Sequence, residues 1–163
     1  MKRSVLMVCT ANICRSPTAE AVLRHRIERA GLAAKVRLDS AGTRASGAHA
    51  SPPDPRSIAH AARRGYDLTP LRSRPVVAED FERFDLIVPM DRSHLAQLAT
   101  IAPHGHRATV RLLMSFAPSS AGAGDVVPDP YYGGAAGFEH VLDLVELACD
   151  GLLEYLYSPQ GAR

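Results

Sequence analysis

Tryptophan is absent and aromatic residues make up only 6% of the 163 positions. Basic side chains are therefore rarely interleaved with aromatic ones, as a nucleic-acid surface would have them. The net charge is only +2 and there is no lysine-rich block, so nucleic acid is not an expected partner. No apolar run approaches the length needed to cross a bilayer, and no membrane insertion is expected. Lys2 and Arg3 before the stretch Ser4 to Cys9 look like the start of an export signal, but that stretch is too short for one. Cysteine is scarce: three residues, an odd number, argue against a disulfide framework and for thiol chemistry in a reducing, cytoplasmic compartment. The seven histidines have no metal-ligand spacing, His104 and His106 merely flanking Gly105 in a loop, so neither metal nor cofactor is expected.

What is present is concentrated near the start. Val5 to Val8 read as a buried strand, Cys9 ends it, and Ser16-Pro17 offers a hydroxyl N-cap followed by proline at the first helical position. A strand-to-helix loop of this kind points amide N–H groups and the positive end of a helix dipole at one spot, where an anion is held beside a thiolate. Arg15 adds a planar fork suited to two oxygens of a tetrahedral oxyanion such as phosphate. Within the loop, Asn12 tolerates the left-handed conformation a tight cradle needs, and the Ser16 hydroxyl is placed to donate to the thiolate.

The rest of the chain alternates strand and helix signals. Ala19, Val22, Leu23, Ile27 and Ala30 recur at helical spacing up to Gly31, and Val36 to Asp39 is a second strand. After a loop rich in Ser, Ala, Gly and Pro, Asp54-Pro55 starts a helix that runs to Gly65. Phe84 to Met90 reads as the third strand, Asp91 caps a helix containing Leu95 and Leu98, and Val110 to Met114 is the fourth strand. Residues 115–135 form a Gly, Pro and Ser-rich loop. The last helix is the strongest, with Phe138, Val141, Leu142, Val145, Ala148, Leu152, Tyr155 and Leu156 in helical period. These elements predict a single α/β domain over 1–163, with a four-stranded parallel sheet covered by helices on both faces. Ligands of such sheets bind beyond the carboxyl ends of the strands, the edge where Cys9, Ser40, Asp91 and Asp129 fall.

The decapeptide Val8-Cys9-Thr10-Ala11-Asn12-Ile13-Cys14-Arg15-Ser16-Pro17, with Asp129-Pro130-Tyr131-Tyr132 near the other end, resembles the signatures of the low-molecular-weight protein tyrosine phosphatases. Ser40-Ala41-Gly42-Thr43, Pro53-Asp54-Pro55-Arg56 and Met90-Asp91-Arg92 are similar to further landmarks of that family, so the resemblance spans nearly the whole chain. It implies strand order 2-1-3-4 and hydrolysis of phosphotyrosine through a phosphocysteine on Cys9. Arg15 and the loop residues Thr10, Ala11, Asn12, Ile13, Cys14 and Ser16 would hold phosphate, with Asp129 as general acid and then base. Pro128 and Pro130 restrict the backbone around that acid. The resemblance also implies a tyrosine-phosphorylated protein as substrate, a tyrosine kinase among the candidates, and a monomer. Cys14 resembles the family's second cysteine, which traps an oxidised nucleophile as a disulfide, although a structural role is open to it.

Blander readings stand beside these. Taken alone, Cys9 is an inert buried thiol, Arg15 a solvated helix-end charge and Asp129 a turn residue; the motif is what reverses this. Ser40 fits a strand-end turn as well as a hydrogen bond to the loop. Tyr131 and Tyr132 either wall an aromatic pocket or are exposed, and Cys149 reads as core packing. Three positions depart from the family pattern: Gly47 stands where many members line the substrate cleft with an aromatic, Leu71 where a supporting histidine is frequent, and Ala11 where glycine is. An arsenate reductase on the same scaffold would need further mobile cysteines, and only Cys149 follows Cys14. A phosphate-binding module without turnover would not need Cys9, Arg15 and Asp129 together.

Overall fold

The computed structural model describes residues 3–158, so Lys2 and the two ends of the expected 1–163 span lie outside the described residues. Strand β1 (Arg3–Cys9) lies inside a parallel sheet of order β2-β1-β3-β4, with β2 at Val36–Gly42, β3 at Leu86–Pro89 and β4 at Thr109–Val110. Every residue of β1 from Ser4 to Cys9 is buried, because alternate side chains enter two separate cores. Val5, Met7 and Cys9 pack with α1 (Arg15–Arg29) and α5 (Ala135–Tyr157). Leu6 and Val8 pack with Phe81 of α3 (Asp80–Arg83), Phe84 and Leu98 of α4 (Arg92–Ile101). The remaining helix, α2 (Pro55–Ala62), touches α5. The order 2-1-3-4 is thus the observed one, and the switch point between β1 and β3 opens at the carboxyl ends of the strands.

The final helix follows its expected period: Phe138, Val141, Leu142, Val145, Ala148, Leu152 and Leu156 are buried, and Cys149 is fully enclosed among them. Tyr155 is only half-buried, its ring 5.0 Å from that of Phe116. Gly151 interrupts this good helix for a steric reason. A Cβ there would lie 1.8 Å from the Phe116 carbonyl oxygen.

Several boundaries differ from the expectation. The fourth strand stops at Val110; Leu113 and Met114 instead enter a 3₁₀ turn (Leu113–Phe116) that buries them against the first core. The short apolar run Leu112 to Met114 does not by itself distinguish these outcomes. The third strand is shorter than Phe84 to Met90, because Phe84 closes the unexpected short helix α3. The second strand is longer, carrying Ser40 inside the sheet instead of in a turn. Helix α2 ends at Ala62, before the turn at Gly65, whose φ is 88°.

Candidate active site

Helix α1 begins two residues earlier than its sequence suggests: Arg15 is its first residue, Cys14 occupies the N-cap without a side-chain cap, and Pro17 is third. Proline is tolerated there because the first four helical amides have no intrahelical acceptor. The Ser16 hydroxyl is therefore not the cap. It lies 3.0 Å from Cys9 Sγ.

What directs that hydroxyl is a chain of hydrogen bonds with a fixed sense. Asn12, the one non-glycine residue with positive φ among those described (60°), uses both amide hydrogens, donating to Ser16 Oγ (2.8 Å) and Ser40 Oγ (2.9 Å). Its carbonyl oxygen accepts the Arg74 N–H (3.0 Å). Ser40 in turn donates to Glu20 Oε1 (2.7 Å), a carboxyl whose pKa is raised by burial. With Ser16 Oγ already accepting from Asn12, its own hydrogen is free to point at Cys9 Sγ. Leu71, half-buried against the first core, takes no part; the Arg74 backbone and Glu20 complete the support.

Arg15 is 3% exposed and held on one side. Its Nη1 donates to Asp91 Oδ2 (2.7 Å) and to the Val127 carbonyl (3.0 Å). Asp91 divides its two oxygens: Oδ1 caps α4 by accepting from Ser93 and His94, and Oδ2 takes Arg15. Burial alone would raise the Asp91 pKa, but donors from Ser93 and Arg15 outweigh it and hold the value down at about 2. The second guanidinium nitrogen, Nη2, faces Asp129 Oδ2 at 3.6 Å. Val127 also fixes the acid loop, since its N–H donates to the Met90 carbonyl at the end of β3 (2.8 Å).

Cys9, Thr10, Ala11, Ile13, Cys14, Arg15, Asp129, Tyr131 and Tyr132 line one cavity of about 310 Å³. The nucleophile, arginine and acid candidates, separated by 120 positions in sequence, thus share it. Tyr131 is half-exposed and Tyr132 almost wholly so, their rings edge-on at 5.0 Å. Arg56 secures the former: its guanidinium lies 5.3 Å from the Tyr131 ring and 4.7 Å from Phe138, while ion-paired to the α2 cap Asp54 at 2.9 Å. Gly47 is not among the lining residues. It is exposed, and a Cβ there would meet only Pro75, at 3.8 Å. Cys14 is buried, and desolvation pushes its thiol up to about 12 despite a hydrogen bond with Ser57. Burial likewise raises Cys149, whose Sγ lies 3.8 Å from the Ala19 carbonyl. Among the described residues no group of three or more His, Cys, Asp or Glu side chains is placed to hold a metal.

Glu20, Ser57 and His94 are the partners that the sequence did not point out, whereas Arg74 was expected beside the supporting network and its backbone N–H donates to Asn12. Glu20 carried a usable signal, an acid flanked by Ala19, Ala21 and Val22 on the buried side of an amphipathic helix.

Comparison with known proteins accords with this geometry. The sequence model of the low molecular weight phosphotyrosine protein phosphatases matches residues 4–160. A low molecular weight protein-tyrosine-phosphatase of Streptomyces coelicolor is 49% identical over 155 residues, covering 94% of this chain and 93% of that one. The human low molecular weight phosphotyrosine protein phosphatase is 37% identical over 93% of this chain and 94% of its own. The crystal structure of a protein tyrosine phosphatase from Entamoeba histolytica superposes with a TM-score of 0.90 at 36% identity, covering 99% of this chain and all of that one. With a match of this extent in sequence and in fold, the chain belongs to the low molecular weight phosphotyrosine protein phosphatase family.

Proposed function

We propose that the chain, folded as one domain, hydrolyses phosphotyrosine and aryl phosphates by way of a phosphocysteine on Cys9. The observation that carries the reading is the one-sided anchoring of Arg15: Nη1 is committed to Asp91 and Val127, while Nη2 faces the cavity beside the thiol and Asp129. The Cys9 sulfur attacks phosphorus in line with the departing phenolate, and Arg15 with the amides of Thr10 to Ser16 holds the equatorial oxygens. A tyrosine phenolate has a pKa of about 10, so its departure gains from the proton that Asp129 supplies. The same carboxylate then takes a proton from the water that cleaves the phosphocysteine. Ser16 donates to the sulfur both before attack and as the thiolate departs.

Tyr131 and Tyr132 offer an aromatic wall to the phenyl ring, and Cys14 serves as the thiol that captures an oxidised Cys9. The substrates are tyrosine-phosphorylated proteins, a tyrosine kinase among the candidates, and the enzyme acts as a cytoplasmic monomer. Three unpaired cysteines suit a reducing compartment, and among the described residues no helix is long and apolar enough to cross a membrane.

The test is Cys9→Ser. Turnover of p-nitrophenyl phosphate should vanish while phosphate still binds, measured by calorimetry, because serine keeps the cradle but is a far poorer nucleophile. Substantial residual turnover would remove Cys9 from the reaction.

A further inference from the structure

His94, in the first turn of α4, is fully buried beside the site yet belongs to none of the roles assigned above. Its two ring nitrogens have unlike partners. Nδ1 receives the Asp91 backbone N–H at 3.1 Å, and a backbone N–H can only donate, so Nδ1 is the acceptor. The 3.3 Å approach of Asp91 Oδ1 to that nitrogen is then not an ion pair. In the neutral ring the hydrogen must reside on Nε2, which lies 2.7 Å from Thr10 Oγ1. Nε2–H therefore donates and Thr10 accepts. The 3.5 Å approach of Nε2 to Arg15 Nη2 sets two donors side by side and is no hydrogen bond.

This tautomer decides what Thr10 can do. Its oxygen accepts from His94 and, at 3.5 Å, faces Arg15 Nη2, so its lone pairs are turned toward protein donors. Its hydroxyl hydrogen has no acceptor among the described residues, and Thr10 lines the cavity directly after Cys9. A hydroxyl so held offers one more donor to an anion in the cradle, on the side that Arg15 Nη2 also serves.

We propose that His94 is a positioning residue for the phosphatase reaction, which holds the Thr10 hydroxyl as an additional hydrogen-bond donor to the phosphoryl group. The role requires a neutral imidazole. Burial, aided by Arg15 and opposed by Asp91 and Asp129, lowers the His94 pKa to about 4, so the ring is neutral throughout the range in which thiol chemistry runs. Protonation would place a hydrogen on Nδ1 against the Asp91 N–H and break the arrangement.

The proposal rests on the phosphatase reading, and a double-mutant cycle separates the two. Thr10→Val removes the hydroxyl at nearly constant shape, and Thr10→Ser restores it. His94→Asn keeps an acceptor near Nδ1 for the Asp91 N–H but is too short to reach Thr10. Thr10→Val and His94→Asn should each lower kcat for p-nitrophenyl phosphate by about 10-fold, in line with one lost hydrogen bond to a charged group. Thr10→Ser should recover most of it. The double variant should be no slower than the slower single variant, because both delete one interaction. Multiplied losses, or a His94→Asn enzyme as fast as wild type, would overturn the proposal and leave His94 as a helix cap. Turnover that survives Cys9→Ser would instead overturn the phosphocysteine route on which the proposal rests.

Discussion

Acid should weaken this protein through His94 before it reaches the carboxylates, and the size of the effect follows from the site. The ring is fully buried between α4, the loop after β1 and Arg15 of α1, with Asp129 facing it from the acid loop. Desolvation dominates and lowers the pKa from 6.5 to about 4. In the unfolded chain the imidazole takes up a proton as pH falls through 6.5, whereas the folded protein refuses it until about 4. Between these values the unfolded state binds more protons, so stability falls with falling pH. The displacement amounts to about 3 kcal/mol when complete, of which about 2–3 kcal/mol would already be lost at pH 4.5. Asp91, held at about 2, acts in a separate window: its stabilisation is present above the unfolded carboxylate value and disappears as pH falls from about 4 through 2. Urea unfolding followed by far-UV circular dichroism at pH 7 and 4.5 suits a chain without tryptophan. His94→Asn should lose about 2–3 kcal/mol less than wild type between these pH values, since contributions from all other groups cancel in the difference. Equal losses in both proteins would refute the burial argument.

Asp129→Asn should lower kcat by roughly 10²- to 10⁴-fold on phenyl phosphate and by less as the leaving group becomes more acidic. An equal loss across a leaving-group series would make Asp129 a loop-positioning residue. Peroxide should inactivate the enzyme reversibly, and Cys14→Ser should make recovery with dithiothreitol poorer; unchanged recovery would leave Cys14 structural. Gly42→Ala should cost about 1–3 kcal/mol and weaken phosphate binding, because its Cβ would lie 2.4 Å from the Thr10 carbonyl oxygen and 3.0 Å from the Ala11 carbonyl carbon. These are backbone atoms of the cradle. An unchanged melting temperature and phosphate affinity would show that the loop has slack there.

The elements legible in the sequence were those set by local signals. Strand β1 and helix α5 each carry a long, one-signed pattern, a continuous apolar run before Cys9 and a 3.6-residue period after Gly134. The fourth strand was not, because Leu112, Leu113 and Met114 are as apolar as a strand, and only their packing onto α5 decides for a turn. The N-terminus of α1 departs from its local sequence signal for a related reason. Ser16 and Pro17 have the residue types of a cap and first position, but Asn12 and Cys9 claim the Ser16 hydroxyl. A tertiary contact overrode a local preference.

The candidate site divides along the same line. Cys9, Asn12, Arg15 and Ser16 sit within eight residues, so one motif displays them together, and Asp129 lies in a second motif. Their supports come from elsewhere: Asp91 follows β3, Glu20 is a turn into α1, Arg74 lies between α2 and α3, and His94 begins α4. Each reaches the loop only because the parallel sheet brings the carboxyl ends of β1, β2 and β3 to one edge. The identity of those supports then determines the sense of the hydrogen bonds. Glu20, an acceptor on the far side of Ser40, consumes the Ser40 hydrogen; Ser40 must then accept from Asn12, and Asn12 has a second hydrogen left for Ser16. The hydrogen that reaches Cys9 is thus set by a carboxyl three hydrogen bonds beyond Ser16. Ser40 and Glu20 lie outside the motif that displays the other three residues of that relay, and only the juxtaposition of all five sets the sense of the bond at Ser16.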